Sequence, residues 1–293
     1  MALLRVLAAL LGAAALAFGA ADPGLGCSEP TRLAEREPPP ASAPAAPGAS
    51  TQEATPTAPP PEPSASPVAP PGATASSAGT ATASEASPGK RRYVVAAMGD
   101  SLTDAHSHGG KYLELLRERC PHSRFDNYGV GGEMVNQMRR RFARDVLGEP
   151  PVADDPKPAY THLIVLGGIN DICSDESALR SNRKIEADLS EMYRAARGRG
   201  IHVVALTMPP WGGFKRYYNA RRGGSTREVN DWIRRQEREH AVDAVLDIYP
   251  LLSCGHASML CPRYAWPDQV HWNAEGHRIV GEALYQALFA DCE

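Results

Sequence analysis

Between Ala34 and Arg92 the chain has no Ile, Leu, Met, Phe, Tyr or Trp, and a single valine, Val68. A segment without large apolar side chains cannot bury enough surface to offset the entropy of ordering it, so a packed domain is excluded there. Its 13 prolines between positions 38 and 71, mixed with Ala, Ser and Thr, make it a partly extended tether instead. Charge of one sign is also scarce. Residues 91–293 hold 27 Lys/Arg and 27 Asp/Glu, and the net charge of −3 comes wholly from residues 1–90, which hold 4 and 7. A neutral domain lacks the net basic face that displaces counterions from a phosphate backbone, which argues against a dedicated nucleic-acid binder. No C-x-x-C occurs, so a redox dithiol or a zinc ribbon lacks its signature. H-E-x-x-H and G-x-x-x-x-G-K-[ST] are missing too, and no other motif signals a metal or cofactor; none is expected.

The N-terminus carries a different kind of segment. Arg5 is followed by an unbroken run of apolar residues and glycine from Val6 to Phe18, then by small residues from Gly19 to Ala21. The run is too short to span a bilayer comfortably, and residues 1–21 read as a secretory signal peptide, with an uncleaved anchor as the alternative. Nothing later approaches a membrane span. The protein is therefore expected to be exported to the periplasm, the cell surface or the medium. Gly24-Leu25-Gly26-Cys27 places a small residue before a cysteine, as a bacterial lipoprotein signal does, but Gly24 stands where an aliphatic residue is usual. Once the signal is cleaved, lipid anchoring at Cys27 is the one route to a membrane, and it stays open beside an unmodified tail cysteine. Six cysteines suit an oxidising compartment while being too sparse for a disulfide scaffold. Cys254 and Cys261 close a short loop and make the local pair, whereas the pairing of Cys120, Cys173 and Cys292 does not follow from spacing.

Three regions result: a signal peptide over 1–21, a Pro/Ala/Ser/Thr-rich tether over 22–90, and a folded domain over 91–293 of ordinary single-domain size. In the last, short apolar runs alternate with helical spacing. Strands are expected at 93–98, 124–128, 162–166, 201–206 and 244–248. Helices are expected at 111–119, 133–146, 185–197, 225–239 with Ser225 as N-cap, and 274–288 capped by Asn273. Continuous apolar strands separated by helices imply a parallel sheet covered on both faces. About five of them suit a flavodoxin-like, doubly wound sheet in a three-layer α/β/α arrangement. Such sheets place function at the carboxyl ends of their strands.

Those ends carry polar residues. After the first strand comes Gly99-Asp100-Ser101-Leu102-Thr103, where Ser101 can be an exposed nucleophile or an ordinary helix cap. It is not the G-x-S-x-G elbow, since Thr103 replaces the second glycine. After the second comes Asn127-Tyr128-Gly129-Val130-Gly131-Gly132, whose glycines can leave a backbone N–H unobstructed. Met134 stands where a dinucleotide fingerprint would place its third glycine. After the third comes Gly168-Ile169-Asn170-Asp171, offering an amide donor. Beyond the fifth, Asp268 precedes His271 by three residues, a spacing that lets the carboxylate reach the imidazole Nδ1–H and leaves Nε2 as a base. Each signal is weak alone. Together they make the inventory for acyl transfer: nucleophile, base, orienting acid and oxyanion donors.

The same four blocks, in this order, resemble those of the SGNH (GDSL-type) hydrolases, across essentially all of residues 93–290. The resemblance implies Ser101 as nucleophile, Asp268 and His271 as its partners, and an oxyanion hole formed by Ser101, Gly132 and Asn170, with Gly131 as the other register for the glycine. It implies an ester substrate, either a short-acyl (acetyl) ester on a polysaccharide or related molecule, or a lysophospholipid or general carboxylic ester; an acyltransferase on the same scaffold is the further alternative. The segment after the fourth strand holds Trp211, Phe214, Tyr217 and Tyr218 among glycines and basic residues. It is expected to overhang the sheet edge as a glycine-hinged, substrate-contacting loop, with a surface aromatic cluster as the plainer alternative. His106 and His108 are expected to be loop histidines, with substrate contact as the alternative. The basic run Arg139-Arg140-Arg141 with Arg144 is expected to form a solvated helix face.

Overall fold

The computed structural model describes residues 90–151, 154 and 156–293. The segments expected from sequence to be a signal peptide and, up to residue 89, a tether lie outside these residues, Cys27 among them. Five strands, β1 (Val94–Gly99), β2 (Arg124–Gly129), β3 (His162–Leu166), β4 (His202–Leu206) and β5 (Ala244–Leu246), form one sheet in the order β2-β1-β3-β4-β5. Every neighbouring pair is parallel. The strand order reverses direction at β1, so the connections leaving β1 and β3 fall on opposite faces and a crevice opens between them.

The helices are α1 (Lys111–Arg119), α2 (Val135–Asp145), α3 (Ile169–Cys173), α4 (Asn182–Arg197), α5 (Ala220–Arg238), α6 (Ile248–Ser253) and α7 (Ala274–Leu284), the last continued by a wider turn over Tyr285–Phe289. α1 packs on α7, while α2, α4 and α5 pack side by side. The central strands are buried almost throughout: Val95, Ala96, Ala97, Met98, Leu163, Ile164, Val203 and Val204 have essentially no solvent exposure. That matches the unbroken apolar runs of a sheet covered on both faces. Among the described residues no helix is long and apolar enough to cross a membrane.

Two disulfides join pairs of described residues, Cys254–Cys261 and Cys120–Cys292. The second ties the end of α1 to the chain terminus, a pairing that spacing alone could not give.

Element boundaries differ from expectation in two instructive places. β5 ends at Leu246 rather than 248, because Asp247 turns the chain and Ile248 enters α6. α5 begins at Ala220, not 225; Asn219 is the cap, its Oδ1 accepting the Arg222 N–H at 2.9 Å. Gly223 and Gly224, expected to be loop residues, are helical. A Cβ on Gly223 would lie 2.1 Å from the Tyr218 hydroxyl oxygen, so the glycine serves close packing. α3 and α6, which sequence reading did not foresee, are both too short to show a helical period.

Candidate active site

The turn after β1 is set by its own backbone. The Asp100 carbonyl accepts the N–H groups of Thr103 (3.0 Å) and Asp104 (2.9 Å), and the Asp100 carboxylate accepts the Leu102 N–H at 3.0 Å. Gly99 has no room for a side chain, since a Cβ there would sit 2.3 Å from the Thr103 hydroxyl. Ser101 is left at the apex of this turn. Across the crevice, the segment between α6 and α7 folds back on itself, with the Trp266 N–H donating to the His271 carbonyl at 2.9 Å. Inside this turn the Asp268 carboxylate accepts the Val270 and His271 N–H groups at 2.9 and 3.0 Å.

The two turns meet. His271 Nδ1 lies 2.6 Å from Asp268 Oδ2, and His271 Nε2 lies 2.8 Å from Ser101 Oγ. A carboxylate can only accept, so Nδ1 carries the proton and Nε2 accepts from the serine hydroxyl. Burial would raise the Asp268 pKa. The His271 side chain, followed by the Val270 and His271 N–H groups, outweighs that and holds the carboxyl below its ordinary value.

Polar donors stand just beyond the ends of β1, β2 and β3. Among the described residues the N–H groups of Ser101 and Gly132 have no partner, whereas the Gly131 N–H is held by Asp104 Oδ2 at 3.0 Å. Of the two glycines, Gly132 is the one whose N–H is left free among the described residues. Its φ of +78° is a left-handed backbone that favours glycine. Asn170, fully buried at the start of α3, gives one Nδ2 proton to the Glu133 carbonyl at 3.0 Å. That bond fixes which end of the amide is nitrogen and leaves its second proton for a ligand. The next residue, Asp171, accepts the Val135 N–H (2.8 Å) and pairs with Arg180 (2.6 Å), binding α3 to α2 and to the loop before α4.

A cavity of about 100 Å³ opens beside Ser101, lined by Leu102, His108, Gly109, Trp266, Trp272 and His277 together with His271 and Asp268. His108 stacks on Trp266, ring centroids 5.2 Å apart, and Trp266 is 37% exposed at its rim. Burial holds His277 neutral, its pKa lowered to about 3. Asp100, buried beneath the same site, has its pKa raised to about 6, chiefly by desolvation.

The structure thus brings Ser101, His271 and Asp268 into contact, and places Gly132 and Asn170 just beyond the ends of β2 and β3, the two strands that flank β1. It does not bring in the aromatic segment. Trp211 is fully buried and donates its indole N–H to Thr226 Oγ1 at 2.9 Å; Phe214 is buried, Tyr217 and Tyr218 pack against the core, and none of the four lines the cavity. Nor are the glycines there hinges. Gly212 abuts Ser258, and a Cβ on Gly213 would lie 2.5 Å from that of Gln269. The segment is a buttress under the Asp268–His271 turn, because rings this large gain more from burial than from solvent.

The basic run on α2 is likewise not a simple solvated face. Arg139 pairs with Asp188 and Glu191, and Arg141 is mostly buried; Arg140 and Arg144 are exposed. His106 is on the surface, while His108 reaches the cavity. Trp266, Trp272 and His277 were not assigned to the site from sequence. The available signal was their proximity in the chain to Asp268 and His271.

Comparison with curated protein sequences found no match. The fold has solved relatives. A lipase/acylhydrolase from Enterococcus faecalis is 16% identical with a TM-score of 0.55, covering 69% of this chain and 97% of its own. A GDSL-like lipase from Bacteroides thetaiotaomicron is 19% identical with a TM-score of 0.54, covering 67% and 87%. An acetyl xylan esterase is 20% identical with a TM-score of 0.55, covering 67% and 100%. The sequence model of the GDSL-like lipase/acylhydrolase family matches residues 97–279, well over half of the chain, and the protein belongs to that family.

Proposed function

We propose that the protein is an exported serine esterase that hydrolyses short-acyl esters, foremost acetyl esters on polysaccharide or related substrates. One observation carries the chemistry: the continuous hydrogen-bonded line Asp268–His271–Ser101. In this reading His271 Nε2 takes the Ser101 proton as Oγ attacks the ester carbonyl carbon. The carbonyl oxygen becomes an oxyanion, held by the Ser101 and Gly132 N–H groups and the free Asn170 Nδ2 proton. Asp268 stabilises the imidazolium. Collapse of the intermediate breaks the carbon–oxygen bond to the alcohol, which leaves with the proton from His271. Water then repeats the sequence on the acyl-enzyme and releases the acid. No step calls on a metal or cofactor.

Cavity size favours a short acyl group. An engineered void of about 150 Å³ holds benzene, so the space of about 100 Å³ beside Ser101 suits a group of a few carbons. Trp266 at the rim, backed by His108, offers an aromatic surface against which a sugar ring can pack. The acetyl xylan esterase among the solved relatives is in keeping with such a substrate. An N-terminal signal and a long tether fit work on a polymer outside the cytoplasm.

The test is release of p-nitrophenol from acetyl, butyryl, octanoyl and palmitoyl esters by the secreted protein and its Ser101→Ala variant. The expected result is turnover that falls from acetyl and butyryl to octanoyl and palmitoyl and disappears in the variant. Preference for palmitoyl would favour a lipid substrate, and equal background in both proteins would overturn the esterase reading.

A further inference from the structure

We propose that Arg141 is a positioning residue of the oxyanion hole, acting through Glu133 and the carboxyl end of β2. The inference rests on the reading of Gly132 and Asn170 as the oxyanion donors. Its basis is a single guanidinium whose side chain is only 10% exposed. Nε donates to Glu133 Oε2 at 2.7 Å, Nη1 to Asp145 Oδ2 at 3.0 Å and Nη2 to the Tyr128 carbonyl at 2.7 Å, with the Gly99 carbonyl at 3.4 Å. Tyr128 and Glu133 bracket the turn that presents Gly132. Glu133 also supplies the carbonyl that orients the Asn170 amide. Both donors contributed by β2 and β3 therefore depend on where Glu133 sits, and Arg141 sets that from within the regular part of α2.

The effect is geometric, not a matter of positive charge at the oxyanion. Two carboxylates, Glu133 and Asp145, already neutralise the guanidinium. What Arg141 supplies is a planar fork that meets acceptors in three directions at once, which an ammonium group cannot reproduce. Other elements hold the opposite edge of the same turn: Asp104 Oδ2 takes the Gly131 N–H, and Asn127 takes the Gly129 N–H while donating to the Thr103 carbonyl. Ser101 and His271 take no part in these contacts, so loss of Arg141 should spare the nucleophile and base.

The test compares wild type with Arg141→Met and Arg141→Lys, using p-nitrophenyl acetate turnover and inhibition by a trifluoromethyl ketone whose hydrate or hemiketal mimics the tetrahedral intermediate. We expect kcat to fall by about tenfold to a hundredfold in both variants, below the ~10²–10³ of losing a donor outright. KM should stay within about threefold, and inhibitor affinity should weaken by the same factor as kcat. A kcat within threefold of wild type, an unchanged inhibitor affinity, or full recovery with lysine would each overturn the proposal. If the Arg141 variants do not fold, Glu133→Ala, which cuts the same link from the other end and leaves Arg141 its bonds to Asp145 and Tyr128, reports the same three quantities. Failure of the esterase reading itself is distinguishable, because the wild type would then show no turnover that Ser101→Ala abolishes.

Discussion

The two halves of the site are built on different principles. Ser101, Gly132 and Asn170 lie at the ends of β1, β2 and β3, and Ser101 and Asn170 are almost entirely buried. Their loops are locked by groups from several parts of the chain: Asp104, Asn127, Arg141, and the Asp171–Arg180 pair that continues to Asp188. His271 and Asp268 sit on one turn between α6 and α7, with side chains 15% and 25% exposed. That turn is held by bonds within itself and by the Trp211–Gly213 buttress behind it. On the proposed mechanism, the difference follows from what each half must do. Oxyanion donors gain strength from being dry and fixed before charge develops. A base that receives a proton and passes it to a leaving group and then to water works at the edge of solvent. The sheet supplies rigidity to one half, and a local turn suffices for the other.

The strongest way to break the comparison is in the dry half. Asn170→Ala removes a donor and leaves the hydrogen-bonded line to Ser101 untouched. Turnover of p-nitrophenyl acetate should fall by roughly 10²–10³ with little change in KM. A loss of under about fivefold would mean that this half is not where the transition state is held.

A smaller effect sharpens it. Asp100 is a carboxyl buried beneath Ser101, and desolvation, only partly offset by the Leu102 N–H and by His271, raises its pKa to about 6. The sign follows from linkage: a carboxyl whose pKa is higher folded than unfolded leaves stability intact at pH 4 and subtracts from it as pH rises through 6. Asp100→Asn retains an acceptor for Leu102 and cannot ionise. It should therefore match the wild type at pH 4 and exceed it at pH 8 by on the order of 3 kcal/mol or less. Denaturant unfolding at the two pH values measures this. A constant difference would show that Asp100 pays no burial penalty.

Legibility in the sequence divides along the same line. Ser101, Gly132 and Asn170 could be read because each stands within a few positions of a strand end, and continuous apolar runs reveal strands in a doubly wound sheet. Asp268 and His271 could be paired because the contact is local. Arg141 could not be placed. It lies one residue from buried Phe142, at the margin between apolar stripe and polar face, and its acceptors are carbonyls and carboxylates that only the fold brings near. Trp211 was misjudged for a related reason. A glycine-flanked aromatic cluster reads as a loop, and the hydrogen bond to Thr226 that makes burial of the indole acceptable comes from a helix whose start was set too late. Trp266 escaped notice because no local pattern marks a ring at a cavity rim.

The most direct test of the account is to treat the purified protein with a fluorophosphonate, digest it, and locate the label by mass spectrometry. The account predicts stoichiometric modification of Ser101, with loss of ester turnover in step and much slower labelling in His271→Ala. Ester hydrolysis that persists while Ser101 is fully modified, or a label on another residue that accompanies the loss, would contradict it.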